Sequence, residues 1–197
     1  MDYMIKDAQG NRTVSLDAKL MIEGELFLTG EITSESAMLL HKQIIALRSD
    51  GVTKAKVWIS SVGGDVAAAL HIIDIIRETD MAISLIVCDK AYSAAAMILA
   101  AGQKGRRFCM QHSRIMIHEI STQINGQYSS IRNLSENVML TNRIVNELMA
   151  KSTGKKVKEI EEAVSYDHFM TAEAAVEFGI VDSIVELSDL YKKRRLL

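Results

Sequence analysis

The segment from Ala82 to Gly102 constrains the fold more than any other stretch of this chain. Ala82-Ile83-Ser84-Leu85-Ile86-Val87 reads as an apolar strand, which runs on through Lys90-Ala91-Tyr92 into Ser93. A short apolar helix, Ala94-Ala95-Ala96-Met97-Ile98-Leu99-Ala100-Ala101, begins directly after it. A serine on a tight strand-to-helix turn is held clear of the sheet, beside N–H groups that the first helical turn leaves unpaired. Those donors, with the positive end of the helix behind them, suit a developing oxyanion. The three alanines after Ser93 let other backbone approach the hydroxyl. Taken alone, the same turn reads as an ordinary Ser N-cap. Both flanking residues are alanine, so the Gly-x-Ser-x-Gly elbow is absent.

A second strand–turn–helix unit lies upstream. Lys56-Val57-Trp58-Ile59-Ser60 predicts a short strand, Gly63-Gly64 a turn, and residues 65–78 a helix with Ala69, Ile72, Ile73 and Ile76 at helical spacing. Before it, Leu20 to Gly30 reads as extended structure broken at Gly24. Thr33 or Ser34 then caps a helix with Ala37, Leu40, Ile44 and Leu47 on one face, ended by Gly51. After the Ser93 unit come two short strands, Arg107-Phe108-Cys109-Met110 and Arg114-Ile115-Met116-Ile117. The second delivers His118 at its C-terminal end. Strands alternating with helices predict an α/β fold with a parallel-rich sheet and helices on its faces. In such sheets sites gather beyond the carboxyl ends of the strands, where Gly63-Gly64, Ser93 and His118 all fall.

Residues 1–18 are weakly patterned and support a flexible segment or a loose hairpin, which leaves residues 19–197 as one domain. The longest predicted helix, 129–151, carries Ile131, Leu134, Val138, Val145 and Leu148 in a stripe that reads as either a core face or a partner surface. A shorter helix follows at 155–163. Thr171 then caps Ala172–Phe178, Gly179 stops it, and residues 180–185 read as a last strand. The basic run Lys192–Leu197 reads as a solvated end.

The bulk numbers exclude some classes of function. A formal net charge of −2 gives no electrostatic reason to expect a nucleic acid or an anionic membrane as partner. No apolar run approaches the ~18 residues of a membrane span, and the N-terminus does not read as a signal peptide, so the expected location is the cytoplasm. Cys88 and Cys109 match no motif spacing and are expected to be buried, inert thiols rather than a disulfide or metal pair. No metal site is expected. There is no proline, and with it go the usual rigid turn markers.

A nucleophilic serine needs a base within hydrogen-bond reach and a carboxylate to hold the base's tautomer. Of the five histidines, His41 and His71 fall inside predicted helices, His112 in a loop, and His168 directly after Asp167. Only His118 ends a strand, which by spacing alone is a weak basis for choosing it.

Several separated motifs resemble the ClpP family, the proteolytic subunit of the Clp protease. They are Ser93, Lys104-Gly-Arg-Arg-Phe-Cys109, Arg114-Ile-Met-Ile-His118, Tyr166-Asp-His-Phe169 and Ala174-Ala-Val-Glu-Phe-Gly-Ile-Val-Asp182, in family order. The likeness runs from about Leu20 to Val185. It implies a crotonase-like ClpP fold, a spiral of βαβ units with a protruding helix–strand handle at about 119–151. It also implies a self-compartmentalised serine endopeptidase with Ser93 as nucleophile, His118 as base, Asp167 as orienting acid, and the N–H groups of Gly64 and Ala94 as oxyanion hole. The implied partners are further copies in stacked seven-membered rings, a hexameric Clp ATPase docked near Trp58 and Phe108, a second ClpP-type subunit in a mixed assembly, and unfolded polypeptide substrates. ATP would be used by the ATPase. This chain lacks a Gly-x4-Gly-Lys-Ser/Thr loop and needs no cofactor. Residues 1–18 would correspond to an axial loop.

The sequence departs from that family at identifiable points and reads as a divergent paralogue. Val62 replaces the proline of a Ser-Pro-Gly-Gly turn, Ala94-Ala95 stand where Met-Gly is commoner, and Glu119-Ile120 follow His118 where proline is frequent. Thr122-Gln123 replace a glycine pair. Tyr166 replaces an arginine whose acidic partner is replaced by Ser129-Ser130. These departures support a second reading, a non-catalytic or partner-activated ring subunit. A third, acyl-CoA chemistry on the same fold, would need a coenzyme A pocket.

Overall fold

The computed structural model describes residues 2–7, 10–122 and 125–192. Its chain begins with a hairpin of β1 (Asp2–Asp7) and β2 (Gly10–Ser15), an antiparallel sheet of its own. Helix α1 (Leu16–Ile22) follows. Here the expected extended segment from Leu20 is corrected. Ser15 caps a helix, its Oγ accepting from Ala18 N–H at 3.1 Å, with Asp17 in the positive first turn. That cap was written in the sequence as Ser15-Leu16-Asp17-Ala18. Extended structure starts only after Gly24, whose φ is +77° and whose Cα faces Lys54 O so closely that a Cβ would lie 2.9 Å from it.

Three strand–helix–strand units then build the main sheet. They are β3 (Glu25–Ile32), α2 (Ser34–Ser49), β4 (Lys54–Gly64), α3 (Val66–Glu78), β5 (Ala82–Tyr92), α4 (Ala94–Ala101) and β6 (Arg107–Cys109). After β7 (Arg114–Ile117) come α5 (Tyr128–Thr153), α6 (Val157–Val164), β8 (His168–Met170), α7 (Ala172–Phe178), β9 (Ser183–Ile184) and α8 (Leu187–Lys192). The strand order is β3-β4-β5-β6-β9, with every neighbouring pair parallel. The long β5 is shared between two partners. Leu85–Val87 pair with β6, and Lys90–Tyr92 pair with β7, which in turn carries the antiparallel β8. Strand β8 and helix α8 had no periodicity long enough to announce them. The last strand is shorter than 180–185, although Asp182 and Val185 N–H still bond to β6 carbonyls on either side of it.

The two sheet faces are unequal. Val57 and Ile59 of β4, with Ile83, Leu85 and Val87 of β5, join the main core formed with α2, α3, α4 and the end of α5. The alternate residues Trp58 and Ile86 join Phe108 and Leu190 in a small cluster on the other face. Helices therefore crowd one face, and α8 covers part of the other. Every residue of α4 is buried, which is why that helix shows no amphipathic stripe. Helix α5 buries Val145, Met149 and Ala150 near its C-terminus, while Ile131 and Leu134 of the expected stripe are exposed. Residues 119–122 and 125–127 have no strand pairing among the described residues. Gln123 and the tail beyond residue 192 lie outside the described residues. No described helix is long and apolar enough to cross a membrane.

One buried charge ties these pieces together. Arg107 on β6 is 2% exposed. Its Nη1 donates to Ala100 O, Ser152 O and Gly179 O at 3.0, 3.2 and 2.9 Å, so it caps the C-terminal ends of α4, α5 and α7 at once. The other arm of its fork pairs with Asp182, through Nε to Oδ2 at 3.0 Å and Nη2 to Oδ1 at 2.5 Å. The cation faces three negative helix ends and a carboxylate. Burial pushes the Asp182 carboxyl up, but the hydrogen bonds and charge of Arg107 outweigh it and hold the pKa below its ordinary value. A lowered folded-state pKa stabilises the fold above the unfolded carboxyl value of about 3.9 and is lost as pH falls through the folded one. Asp182→Asn should therefore flatten the fall of thermal midpoint below about pH 4; an unchanged acid limb would remove Asp182 from the account. Arg107→Leu should cost about 3–5 kcal/mol in urea unfolding, because it strands a carboxylate and three carbonyls.

Candidate active site

Ser93 has φ 52° and ψ −121° and is the only described non-glycine residue at positive φ. Such a conformation costs roughly 1–3 kcal/mol and persists only where the surroundings impose it. Here Ser93 N–H donates to Met116 O at 2.8 Å, while Ser93 O accepts from Ala96 and Met97 N–H at 2.9 and 3.1 Å. The backbone is thus clamped between β7 and the first turn of α4. Although Ser93 occupies the N-cap position, its hydroxyl makes no cap hydrogen bond. That removes the ordinary-cap reading. The hydroxyl turns outward, and His118 Nε2 lies 2.7 Å from Ser93 Oγ.

Sheet register brings the other members together. Tyr92 pairs with Met116, which sets His118 two residues further along beside Ser93. Ile117 pairs antiparallel with His168, so the next residues, His118 and Asp167, face each other past the strand ends. Asp167 Oδ1 is 3.4 Å from His118 Nδ1. The contact is loose, with side-chain exposures of 28% for His118 and 65% for Asp167. A carboxylate facing Nδ1 favours the tautomer that carries its proton there and leaves Nε2 to accept from Ser93. The competing histidines lie elsewhere. His41 Nδ1 and His71 Nε2 are 3.2 Å apart between α2 and α3, and His168 stacks on Tyr166 with Phe178 at its edge.

The end of β4 closes the other side. Gly63, with φ +94°, approaches so closely that a Cβ would stand 2.7 Å from Tyr92 O and 2.8 Å from Ser93 Cβ. Gly64 follows against Ile32, and Ala94 is fully buried at the start of α4. In the β3–β4 ladder Gly30 pairs with Ser61 and Glu31 with Gly63, leaving Val62 as the extra residue of a bulge. The buried Ser61 Oγ accepts from Gly63 N–H at 3.1 Å and fastens the turn from inside. Sequence reading passed over Ser61, although Ser-x-Gly before a helix is the signal for such a hydroxyl-fastened turn.

The two aromatic residues expected at a docking surface part company. Trp58 is 7% exposed and lines a groove of about 650 Å³ with Leu20, Phe27 and Cys88, its Nε1–H donating to Glu25 Oε2 at 2.7 Å. Phe108 is 6% exposed, packs in the small cluster and does not line that groove. Cys88 is exposed, which corrects the expectation of burial, because it alternates with the core residue Val87 onto the face of Trp58 and lines the open groove there. Its thiol is pushed up by desolvation and then by the charge of Asp89; Cys109 is buried, and desolvation raises its thiol to about 11. Among the described residues no group of three or more His, Cys, Asp or Glu is placed to hold a metal ion.

Two measurements test this geometry. Ser93→Gly should unfold about 1 kcal/mol later than Ser93→Ala, because glycine relieves the positive φ that alanine keeps; equal stabilities would mean the turn relaxes. Val62→Pro should leave the thermal midpoint no lower than the parent's, since a bulge is a place where a strand accepts proline, while Ser61→Ala should cost about 1–3 kcal/mol for the orphaned Gly63 donor. The fold, the clamped serine and the match of residues 8–188 to the family model described as Clp protease together place this chain in the Clp protease family.

Proposed function

We propose that this chain is a serine endopeptidase subunit that cleaves unfolded polypeptides delivered to it by a Clp ATPase. The observation that carries the proposal is the 2.7 Å approach of His118 Nε2 to Ser93 Oγ at a turn where the serine hydroxyl caps nothing. Ser93 Oγ attacks the scissile carbonyl carbon while His118 Nε2 takes its proton, and Asp167 holds the imidazolium that forms. The oxyanion is received by the N–H groups of Ala94, a first-turn donor of α4, and of Gly64. Gly63 is not the donor, because its N–H is already committed to Ser61 Oγ. His118 returns the proton to the departing amine, whose C–N bond breaks to leave an acyl-serine. Water, deprotonated by His118, then attacks that ester, and Ser93 is restored. None of these steps calls on a metal or cofactor. ATP belongs to the partner ATPase, for which the Trp58 groove is the candidate seat.

Substrate would lie extended along the unpaired 119–122 segment, with main-chain hydrogen bonds adding a strand. The family assembles into rings, and the exposed apolar residues Ile131, Leu134, Met139 and Leu140 of α5 suit a ring–ring or mixed-subunit contact. A second reading, a partner-activated or structural subunit, draws on the loose, solvent-exposed Asp167 and on Tyr166, which has no charge with which to pair across rings.

Incubation of the purified chain with a fluorophosphonate, followed by intact mass and peptide mapping, tests the choice. Labelling at Ser93 in the folded but not the unfolded protein is the expected result, and labelling only after a partner ring is added would favour the partner-activated subunit. Asp167→Asn should keep the fold and lose up to about 10⁴ in turnover. Near-normal turnover would remove Asp167 from the site.

A further inference from the structure

A second groove, of about 410 Å³, opens beside His118. One wall is residues 118–122, leaving β7, and the other is residues 164–167, entering β8. Glu119 N–H donates to Val164 O at 2.8 Å, which ties the two walls together and fixes the backbone from which the Glu119 side chain projects. Along both walls the polar side chains are carboxylates, hydroxyls and the His118 ring, and among the described residues no lysine or arginine lines the groove. Glu119 is exposed, and among the described residues its carboxylate has no hydrogen-bond or ion-pair partner. Asp167, on the facing wall, turns toward His118. The groove therefore holds one uncommitted negative charge next to the general base. Tyr166, exposed and stacked on His168, supplies an aromatic face on the other side of the groove.

From this juxtaposition we infer that Glu119 is a specificity residue, selecting polypeptides that carry arginine or lysine beside the scissile bond. The inference rests on the peptidase reading above and extends it to a substrate class. A guanidinium or ammonium entering the groove would find a carboxylate that no cation among the described residues neutralises, with a ring face beside it for cation–π contact. A neutral side chain gains neither, and an acidic one meets like charge. Because the groove is open to water, the discrimination is modest and salt-sensitive, about threefold to tenfold at low ionic strength.

The test uses internally quenched peptides in which a single arginine is moved through the residues flanking the cleaved bond. Each peptide is compared with its citrulline counterpart, the neutral isostere. The purified chain is assayed in whatever assembly it forms, and its active sites are counted by fluorophosphonate labelling of Ser93. The expected result is a kcat/KM ratio of arginine to citrulline of about threefold to tenfold at one or more positions, shrinking as salt is added. Glu119→Gln should bring that ratio near one, and Glu119→Lys should invert it and favour glutamate over glutamine at the same position. The ratio within each variant is the readout, so a variant that is less active overall still answers. Labelled Ser93 and cleaved peptides with a ratio of one at every position overturn the Glu119 assignment and leave the peptidase reading standing. Absence of both labelling and cleavage overturns the two together.

Discussion

The Arg107 guanidinium is the constraint on which the rest of the structure leans. Three helices that come from distant parts of the chain end on its Nη1, and its partner, Asp182, directly precedes the strand that follows the last of them. A helix end buried without partners leaves carbonyls unsatisfied, and each orphan costs on the order of 1–3 kcal/mol. Gathering three ends around one cation removes that cost and supplies the counter-charge that lets an arginine be buried at all. Arg77 reinforces the same place, its Nε donating to Ala101 O and its Nη2 to Ser152 Oγ. The helix that begins at the candidate nucleophile therefore ends at the best-tied point of the fold.

That arrangement explains how a strained serine can be held. The turn at Ser93 stores backbone energy, and stored energy is kept only if both sides of the turn are fixed. On one side β5 is paired along its length, to β4, to β6 and finally to β7. On the other, α4 is buried on every face and locked at its C-terminus by Arg107 and Arg77. Gly63 fills the remaining space with a backbone that leaves no room for a methyl group. Two strands and a helix thus fix the serine, while the register of β7 against β5 and β8 fixes the histidine and the carboxylate. The site is a consequence of strand register, and a shift of one residue in β7 would turn His118 to the opposite face.

Much of this was legible in the residues. The apolar run 82–87, the caps at Thr33 or Ser34 and at Thr171, and Gly51 and Gly179 marked strand–helix alternation through most of the chain. The clustering of Gly63-Gly64, Ser93 and His118 beyond strand ends followed from that alternation. What stayed hidden depended on contacts distant in sequence. Strand β8 is three residues long and exists because β7 offers an edge. Helix α1 was masked by an apolar run that pattern alone could not separate from a strand, and only its Ser15 cap decided the matter. Asp167 had no periodicity to recommend it and was placed by family resemblance, whereas in the fold it is simply the residue opposite His118 past the β7–β8 ladder. Cys88 looked buried because its neighbours are apolar, but it alternates onto the sheet face that the helices leave open as a groove.

Helix α5 leaves the domain's core early. Its C-terminal half packs against α4 and α6, and its first half leaves Tyr128, Ile131, Leu134, Met139 and Leu140 exposed, with no buried residue before Val145. Residues 119–122 have no strand pairing among the described residues, although Glu119 N–H is bonded to Val164 O and Ile120 packs against the core. Residues 119–122 follow directly on His118, and α5 begins six residues further along. A surface that buried the first half of α5 would fix the position of the segment in front of it, and with that segment the wall of the groove that carries Glu119. Asp167, held to His118 only at 3.4 Å and largely open to water, is the member of the site with most to gain from such a surface. Desolvating it would strengthen its attraction for a developing imidazolium, because a charge pair is worth more where water is excluded. In this chain the interactions that complete the site and those that would join it to further copies meet in one stretch of backbone, between the end of β7 and the start of α5.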